Sequence, residues 1–411
     1  MQQYDVVIVG GGMIGSSLAL ALQQLPIKVA LIEPFAPVDD AAPGFDARAI
    51  ALSRTTAKIL RSLQLWAGIK PDATAIQHIH VSDKGRMGLC HFSAAEVNLP
   101  AMGYVVELQN VAKIMHKALQ GSAVDLLCPA TLETIEAAET GYELAVKHGD
   151  STVQLATKLV IAADGGRSQI RADLNIPFTT KTYNQSAIIS TLRTQKEHHY
   201  RAYERFTDNG PVAFLPLSDN RISMVWMVAP DEAERLMASD DDLFITELQS
   251  AFGMRLGRIE QLGQRHCYPL NLVQTNYQEP GLIFVGNAAQ SLHPIAGQGF
   301  NLGLRDVADL VDVIRDACIA GEDLSSKELS DKYHEVRTKD KAHIVTLTDA
   351  LARLFANPSP VVSIPRNILL GSLSLMPDVR HQFTQFAMGM NHPSSRLTRG
   401  LPIAIESRAN V

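Results

Sequence analysis

The 411-residue sequence contains little cysteine. Its four cysteines stand at positions 90, 128, 267 and 318, and they form neither a C-x-x-C pair nor a spacing typical of a metal site. A disulfide scaffold or a structural zinc site needs cysteines that are paired or clustered. We therefore exclude both classes of protein and expect ordinary core thiols in a reducing compartment.

The sequence also lacks an excess of positive charge. Lys and Arg number 37 and Asp and Glu number 43, which gives a net charge of −6. A protein that binds nucleic acid needs a basic surface to meet the phosphates, so this class is excluded. Hydrophobic residues make up 46% of the chain and charged residues only 19%. A large core can therefore be buried, and a wholly disordered chain is excluded as well.

Long hydrophobic runs are missing too. The sequence has no uncharged apolar window of 18 residues, so no transmembrane helix is expected. No basic segment precedes the first apolar run, YDVVIVG, and glycines end that run after the length of one strand, unlike a signal peptide. We expect a cytoplasmic protein. The alternative is a cytoplasmic protein with a peripheral contact to the inner face of the membrane.

The chain opens with the pattern of a β-α-β unit. The apolar run 4–9 predicts a strand buried on both faces, 16–25 predicts a helix, and 27–32 predicts a second strand. Such a unit is the usual start of a nucleotide-binding domain. The sequence contains one G-x-G-x-x-G motif, in this unit, and no other, so we expect no separate NAD(P)H domain.

A glycine motif connects the first predicted strand to the helix. Gly10 would permit a tight turn, Gly12 would let the backbone approach a pyrophosphate, and Gly15 would let helix and strand pack closely. Free N–H groups at the start of the helix favour an anionic ligand. Glu33, at the end of the second strand, could accept hydrogen bonds from an adenosine ribose. This order predicts a dinucleotide site, and a glycine-rich turn without a ligand is the alternative.

Later segments distinguish FAD from NAD. Four of them resemble the motifs of the class A flavoprotein aromatic hydroxylases, in family order: Asp46–Leu52, Asp164-Gly165 with Ser168 and Arg171, Val285–Ala289, and His293–Gly303. The finer resemblance is to the ubiquinone-biosynthesis hydroxylases, in particular the subgroup that acts on 2-octaprenyl-6-methoxyphenol. It is carried by Pro43–Leu52, Val81–Asp83, Val105–Leu108 and His293–Gly303. The resemblance covers nearly the whole chain.

This resemblance implies the fold. We expect an α/β protein, α+β overall, with a Rossmann-like FAD-binding domain, an inserted β-rich substrate domain and C-terminal helices, as in p-hydroxybenzoate hydroxylase-like proteins. The expected boundaries are 1–75, 97–177 and 265–335 for a discontinuous FAD-binding domain, 76–96 and 178–264 for the substrate domain, and 336–411 for the C-terminal helical region.

The resemblance also implies roles for individual residues. Arg48 is expected along the cofactor near the pyrophosphate, and Asp164 and Gly165 near both cofactor and pyridine nucleotide. Asn287 stands where the family usually has Asp, but its side-chain oxygen can still accept a hydrogen bond from a ribityl hydroxyl. In the family, the residues at these positions lie beside the ribityl chain and ring, which implies such a place for Gly297, Gln298, Gly299 and Asn301. Pro294 has no N–H to donate, so it would form a water-excluding surface near the flavin. We assign no proton-transferring residue from the sequence.

The implied function is FAD-dependent monooxygenation. NAD(P)H would bind transiently as the electron donor, and one oxygen atom of O2 would enter the ring of a polyprenylated phenol in ubiquinone biosynthesis. Because a phenol activates its own ring, the protein mainly has to align ring and flavin and to exclude water. The alternatives are another class A hydroxylase or epoxidase of secondary metabolism, and a non-catalytic flavin-binding scaffold of a biosynthetic complex.

The apolar C-terminal segment 361–390 has several interpretations. It could pack against the body of the protein, form a contact in a homo-oligomer, or touch a membrane surface or a biosynthetic complex. A long polyprenyl tail is costly to expose to water, so we expect an apolar channel between the two domains. We expect its mouth near Ile368, Leu369, Leu373 and Leu375.

Overall fold

The computed structural model describes residues 1–36, 48–86, 88–275, 277, 279–291, 298–356, 380, 384–385, 388–389 and 395–405. Several residues of the sequence analysis lie outside these ranges, namely Asp46, Pro294, Gly297, Ile368, Leu369, Leu373 and Leu375.

The described residues form three β-sheets and a set of helices. The strands are β1 (Gln2–Val9), β2 (Val29–Ile32), β3 (Ala49–Ser53), β4 (Thr74–Ile76), β5 (His78–Asp83), β6 (Leu89–Ser93), β7 (Gly103–Glu107), β8 (Asp125–Leu127), β9 (Ala130–Ala137), β10 (Tyr142–His148), β11 (Ser151–Ala162), β12 (Thr179–Thr194), β13 (Arg201–Phe206), β14 (Val212–Pro216), β15 (Arg221–Val228), β16 (Ile259–Leu262), β17 (His266–Gln274), β18 (Leu282–Phe284) and β19 (Gln290–Ser291). The α-helices are α1 (Met13–Leu22), α2 (Arg54–Ser62), α3 (Trp66–Ile69), α4 (Leu108–Gln120), α5 (Gln169–Asp173), α6 (Pro230–Ala238), α7 (Asp241–Phe252), α8 (Gln298–Ala320), α9 (Lys327–Ala356) and α10 (Arg396–Arg399).

The first sheet contains the predicted β-α-β unit. Its seven strands follow the order β8-β2-β1-β11-β10-β9, with β18 beside β11. The neighbours β2, β1, β11 and β18 are parallel, so their carboxyl ends meet at one edge. Strand β1 is apolar throughout its second half because both faces are covered. Val6 and Ile8 pack with α1 and α8, whereas Val7 and Val9 pack with residues of β10.

The second sheet has nine strands among the described residues, in the order β19-β17-β12-β15-β14-β13-β5-β6, with β16 also on β12. It extends past the predicted boundary at residue 264, because β17 pairs with the first half of β12, from Thr179 opposite Gln274 to Ile189 opposite His266. The first half of β12 needs this partner to satisfy its backbone hydrogen-bonding groups. Strand β17 therefore belongs to the same sheet as the strands predicted for the substrate domain.

Two helices cover the outer face of this sheet. The sequence from 231 to 252 favours a helix, and the structure has two helices there, α6 and α7. The division occurs because the Asp240 carboxylate accepts the backbone N–H of Leu243 at 2.8 Å and so caps a new helix. The sequence also favours long helices over 299–320, where apolar residues recur at helical spacing, and over 327–356, and both are present as α8 and α9.

The two large sheets meet through the small third sheet, β3-β7-β4. Ile76 and Val105 of this sheet pack against Ala202 of β13. Beside them, Arg221 of β15 forms a buried ion pair with Glu107 of β7, with Nη2 and Oε1 2.6 Å apart. Removal of either partner would leave a buried charge unpaired, so the pair fixes how the sheets face each other.

The helices that the structure describes include none that is long and apolar enough to cross a membrane.

Candidate active site

The glycine turn after β1 is shaped by close backbone contacts. Gly10 has φ of +103°, and a Cβ there would lie 2.5 Å from the carbonyl oxygen of Ala163. A Cβ on Gly15 would collide with the carbonyl oxygen of Gly10. Both positions therefore need glycine for the polypeptide itself, and the close helix–strand packing predicted for Gly15 is present.

Gly12 differs from these two glycines. Its φ is −59°, which any residue can adopt, and a Cβ there would meet nothing within 4 Å. Gly12 is also the N-cap residue of α1, and no side chain caps this helix end among the described residues. The first N–H groups of α1 therefore face an open cradle that suits a pyrophosphate.

Glu33 lies beside this cradle at the end of β2. Its Oε2 accepts the N–H of Gly11 at 2.6 Å, and its Oε1 accepts the N–H of Phe35 at 2.9 Å. These bonds hold the carboxylate next to the glycine turn. Each carboxylate oxygen has a second lone pair, so the hydroxyls of a ribose can still donate to it.

The Asp164-Gly165 loop follows β11 and touches the same turn. Oδ2 of Asp164 accepts the hydroxyl of Ser168 at 2.9 Å and the N–H of Ile170 at 3.2 Å. Oδ1 of Asp164 is buried and has no hydrogen-bond partner among the described residues. A buried acceptor without a partner is costly, so this oxygen is suited to a ligand hydroxyl or a bound water.

The third motif follows β18 and is tied to both neighbouring segments. Arg171 donates through Nη1 to the carbonyl oxygen of Ala288 at 2.8 Å, which joins the third motif to the Asp164 loop. Gly286 donates its N–H to Oδ2 of Asp306 at 2.9 Å. Asn287 between them is exposed, while both neighbours are buried. Its amide is thus directed away from the protein core, as a ribityl contact requires.

The start of α8 holds the remaining predicted residues. Asn301 is buried, and its Oδ1 accepts from the N–H of Ser53 at 2.8 Å and from Oγ1 of Thr56 at 2.7 Å. Its side-chain amide connects α8 to β3. A side chain that was predicted to contact the cofactor is therefore already hydrogen-bonded within the protein. A Cβ on Gly299 would meet nothing within 4 Å. Gln298 begins α8, and Gly297 and Pro294 lie outside the described residues.

Arg48 lies just before β3 and reaches β17 of the nine-stranded sheet. It is exposed, and its Nη1 is 3.3 Å from the hydroxyl of Tyr268 on β17. Its carbonyl oxygen accepts the N–H of Leu108 at 2.9 Å, which anchors the backbone. The guanidinium can therefore turn toward an anionic cofactor without breaking a buried interaction.

Together, these segments form one site. The residues at the carboxyl ends of the parallel strands are Gly10, Gly12, Gly15, Glu33, Asp164, Gly165 and Asn287. Ligands of open parallel sheets bind at this edge. The open cradle at Gly12, the uncapped helix and the unpartnered Asp164 oxygen fit an extended dinucleotide such as FAD.

Sequence reasoning missed a buried ionic network behind the third motif. The Asp306 carboxylate accepts a hydrogen bond from Nε of Arg337 at 2.8 Å, in addition to the one from the N–H of Gly286. Arg337 is 1% exposed and also binds Asp309 and Asp340, each at 2.8 Å. The one sign of this network in the sequence was an aspartate on a helix face that is otherwise apolar. Its partner on α9 could not be identified from spacing.

Comparisons with known proteins show the family of this chain. The profile of an FAD-binding domain family matches residues 3–348. The chain is 34% identical to the ubiquinone hydroxylase UbiL of Rhodospirillum rubrum, over 97% of this chain and 93% of that protein. It is 32% identical to the 3-demethoxyubiquinol 3-hydroxylase of Escherichia coli, over 95% of this chain and 99% of that protein.

Solved structures support the fold. The p-nitrophenol 4-monooxygenase PnpA of Pseudomonas putida DLL-E4 superposes with a TM-score of 0.78, over 96% of this chain and 100% of that chain, at 18% identity. The predicted α/β fold is therefore confirmed. Because family profile and relatives both match over most of the chain, it belongs to the FAD-binding-domain hydroxylase family that includes the ubiquinone hydroxylases, and it is an FAD-dependent monooxygenase.

Proposed function

We propose that this enzyme hydroxylates the aromatic ring of a polyprenylated phenol in ubiquinone biosynthesis, with NAD(P)H as electron donor. The observation that carries the proposal is the similarity to two hydroxylases named for ubiquinone and demethoxyubiquinol, each aligned over more than nine tenths of its length. When bound, FAD supplies the redox chemistry that activates O2 for transfer of one oxygen atom.

We assign the cofactor contacts to residues of the described site. The N–H groups at the start of α1, above Gly12, would hold the pyrophosphate, and Glu33 would accept the ribose hydroxyls. Asn287 would accept a ribityl hydroxyl, and Arg48 would add positive charge beside the phosphates. The dipole at the start of α8 would favour negative charge on a ligand there.

The inner face of the nine-stranded sheet is the proposed floor of the substrate site. Ala187, Met227 and Leu270 are buried together there, with Tyr183 and Val225 packed against them. This apolar lining would exclude water from the reacting ring.

We also propose that the polyprenyl tail enters from a membrane surface or a carrier through a channel between the domains. Each CH₂ group contributes about 0.8 kcal/mol when it leaves water, so the tail will not diffuse freely. Removal of everything after residue 357 is a poor test, because Leu397 and Ile403 belong to the main core. Leu369→Ser with Leu373→Ser is more selective. Turnover of a long-tailed phenol should fall more than that of a short-tailed one, and equal losses would reject this access route.

The test of the proposed function is complementation. Bacterial strains, each lacking one ring hydroxylase of the quinone pathway, receive the gene, and their quinone precursors are identified by mass spectrometry. Restoration of ubiquinone in one strain supports the proposal and identifies the ring position. Failure in every strain, with a flavin-loaded protein present, would favour another hydroxylase reaction or a scaffold.

A further inference from the structure

One half-buried glutamate of the substrate domain has a carboxyl oxygen that is closed off from solvent. Glu204 lies in the middle of β13, opposite Ala213 of β14 and Val81 of β5. Its Oε1 is inaccessible to solvent and has no hydrogen-bond partner among the described residues. Burial of a carboxyl oxygen without a hydrogen bond is costly, so this position needs an explanation, and a ligand that donates to the oxygen is one.

The alternation of β13 shows which way Glu204 faces. Tyr203, on the opposite face, packs with Phe214 and Phe252 beneath the outer helices. Ala202, two residues before Glu204 and on the same face, packs against Ile76 and Val105 of the small sheet. The Glu204 carboxyl therefore lies on the face that is turned toward the FAD-binding domain.

The neighbours of Glu204 on this face are apolar. Val81 and Ala213 flank it, and Val225 of β15 comes next across the sheet. This burial raises the pKa of Glu204 from 4.5 to about 7. A carboxyl group with a pKa near neutrality is suited to accept a proton at physiological pH.

Two buried or partly buried charge pairs lie along this face, and Arg193 of β12, opposite Arg221, is exposed. Asp83, at the end of β5, pairs with Arg86, with Oδ2 and Nη1 3.4 Å apart. Arg221, at the start of β15, pairs with Glu107. Among the described residues no cation pairs with Glu204, which distinguishes it from Asp83 and Glu107.

We propose that Glu204 is a catalytic residue that binds the hydroxyl group of the phenolic substrate and accepts its proton. This inference rests on the proposed function. The phenol O–H bond breaks, the proton forms an O–H bond on the Glu204 carboxyl, and the electron pair remains on the phenolate oxygen. The protonated carboxyl then donates a hydrogen bond to that oxygen, and the proton returns when the product leaves. The phenolate ring is richer in electrons and accepts oxygen more readily.

The test uses the flavin-loaded, full-length enzyme and a short-tailed prenyl phenol. Glu204→Gln keeps the shape of the side chain and removes the base. Glu260→Gln is the matched control, because Glu260 is an exposed glutamate of the same sheet. The ultraviolet difference spectrum reports phenolate formation when substrate binds to the oxidised enzyme. The pH profile of kcat/KM reports the group that must be deprotonated.

The wild type and Glu260→Gln should show a bound phenolate and a kcat/KM that rises with pH up to about 7. Glu204→Gln should lose both signatures, and kcat should fall about 10²–10⁴-fold while flavin content stays the same. A Glu204→Gln enzyme with wild-type phenolate spectrum and turnover would overturn the proposal. So would a wild type that binds the substrate as neutral phenol at pH 8, a result that needs no variant to fold.

The outcome for the proposed function is separate. A hydroxylated product from the wild type, identified by mass spectrometry, establishes the reaction whatever Glu204 does. If the wild type hydroxylates no prenyl phenol, the proposed function and the role of Glu204 are both wrong.

Discussion

Gly12→Val should give a folded protein that does not retain FAD. The backbone of Gly12 has φ of −59°, and the position of a Cβ there is open for 4 Å, so the polypeptide can accommodate the side chain. The same space is where a pyrophosphate would meet the first N–H groups of α1. The substitution should therefore affect the ligand and leave the fold intact.

The expected loss can be estimated from the hydrogen bonds at the helix start. A valine there would displace the phosphate from about two N–H groups, each contributing roughly 1.5–3 kcal/mol to a charged partner. The sum of about 3–6 kcal/mol corresponds to FAD binding weaker by about 10²–10⁴-fold. Titration of the apoprotein with FAD measures this loss, and thermal unfolding of the apoprotein measures the stability of the fold.

Two further variants make the comparison specific. Gly121→Val adds the same side chain at an exposed position, where the nearest atom to a Cβ is 3.8 Å away, and should leave FAD affinity unchanged. Gly15→Val should destabilise the apoprotein itself, because its Cβ would strike the Gly10 carbonyl oxygen. A Gly12→Val protein with a full flavin spectrum and unchanged affinity would refute the assignment of the cradle.

Three other predictions follow from named groups. Asn287→Asp should preserve FAD affinity, whereas Asn287→Leu should weaken it by roughly 1–3 kcal/mol in an equilibrium titration; equal affinities would remove Asn287 from the site. Arg337→Met removes the cation shared by the buried Asp306 and Asp309 and the half-buried Asp340. It should lower the free energy of unfolding by about 3–5 kcal/mol in urea, against no change if the network is dispensable. Burial raises the pKa of Glu204 from 4.5 to about 7, so as the pH rises the unfolded state loses this proton at a lower pH than the folded state does. The free energy of unfolding of the wild type should therefore fall as the pH rises from about 4.5 to about 7. Glu204→Gln should lack this fall, which leaves it more stable by about 3 kcal/mol at pH 8; parallel stability–pH curves would contradict the shift.

The parts of the fold that the sequence predicted are those encoded locally. The buried strand 4–9, the glycines at 10 and 15 and the two long helices each carry their signal within a short window. The extent of the second sheet was less predictable, because β17 joins it through pairing with a strand some 80 residues earlier. The break at Asp240 had a visible capping residue, but the helical pattern on both sides obscured it.

The site was predicted less completely than the fold. Gly12, Glu33 and Asp164 meet because parallel strands end at one edge, a rule that needs no side-chain detail. Glu204 could not be found in this way. Its strand reads RAYERF, in which charged residues occupy both alternating faces, and only the folded sheet distinguishes the face beneath the helices from the face toward the FAD-binding domain.

We propose that this chain inserts one atom of O2 into the ring of a polyprenylated phenol. The most direct measurement supplies the purified, FAD-loaded enzyme with NAD(P)H, a prenyl phenol and isotopically heavy O2, and weighs the product by mass spectrometry. We predict a hydroxylated ring that carries one heavy oxygen atom, formed only when NAD(P)H is present. Oxidation of NAD(P)H without a hydroxylated product, or a product whose new oxygen comes from water, would contradict the account.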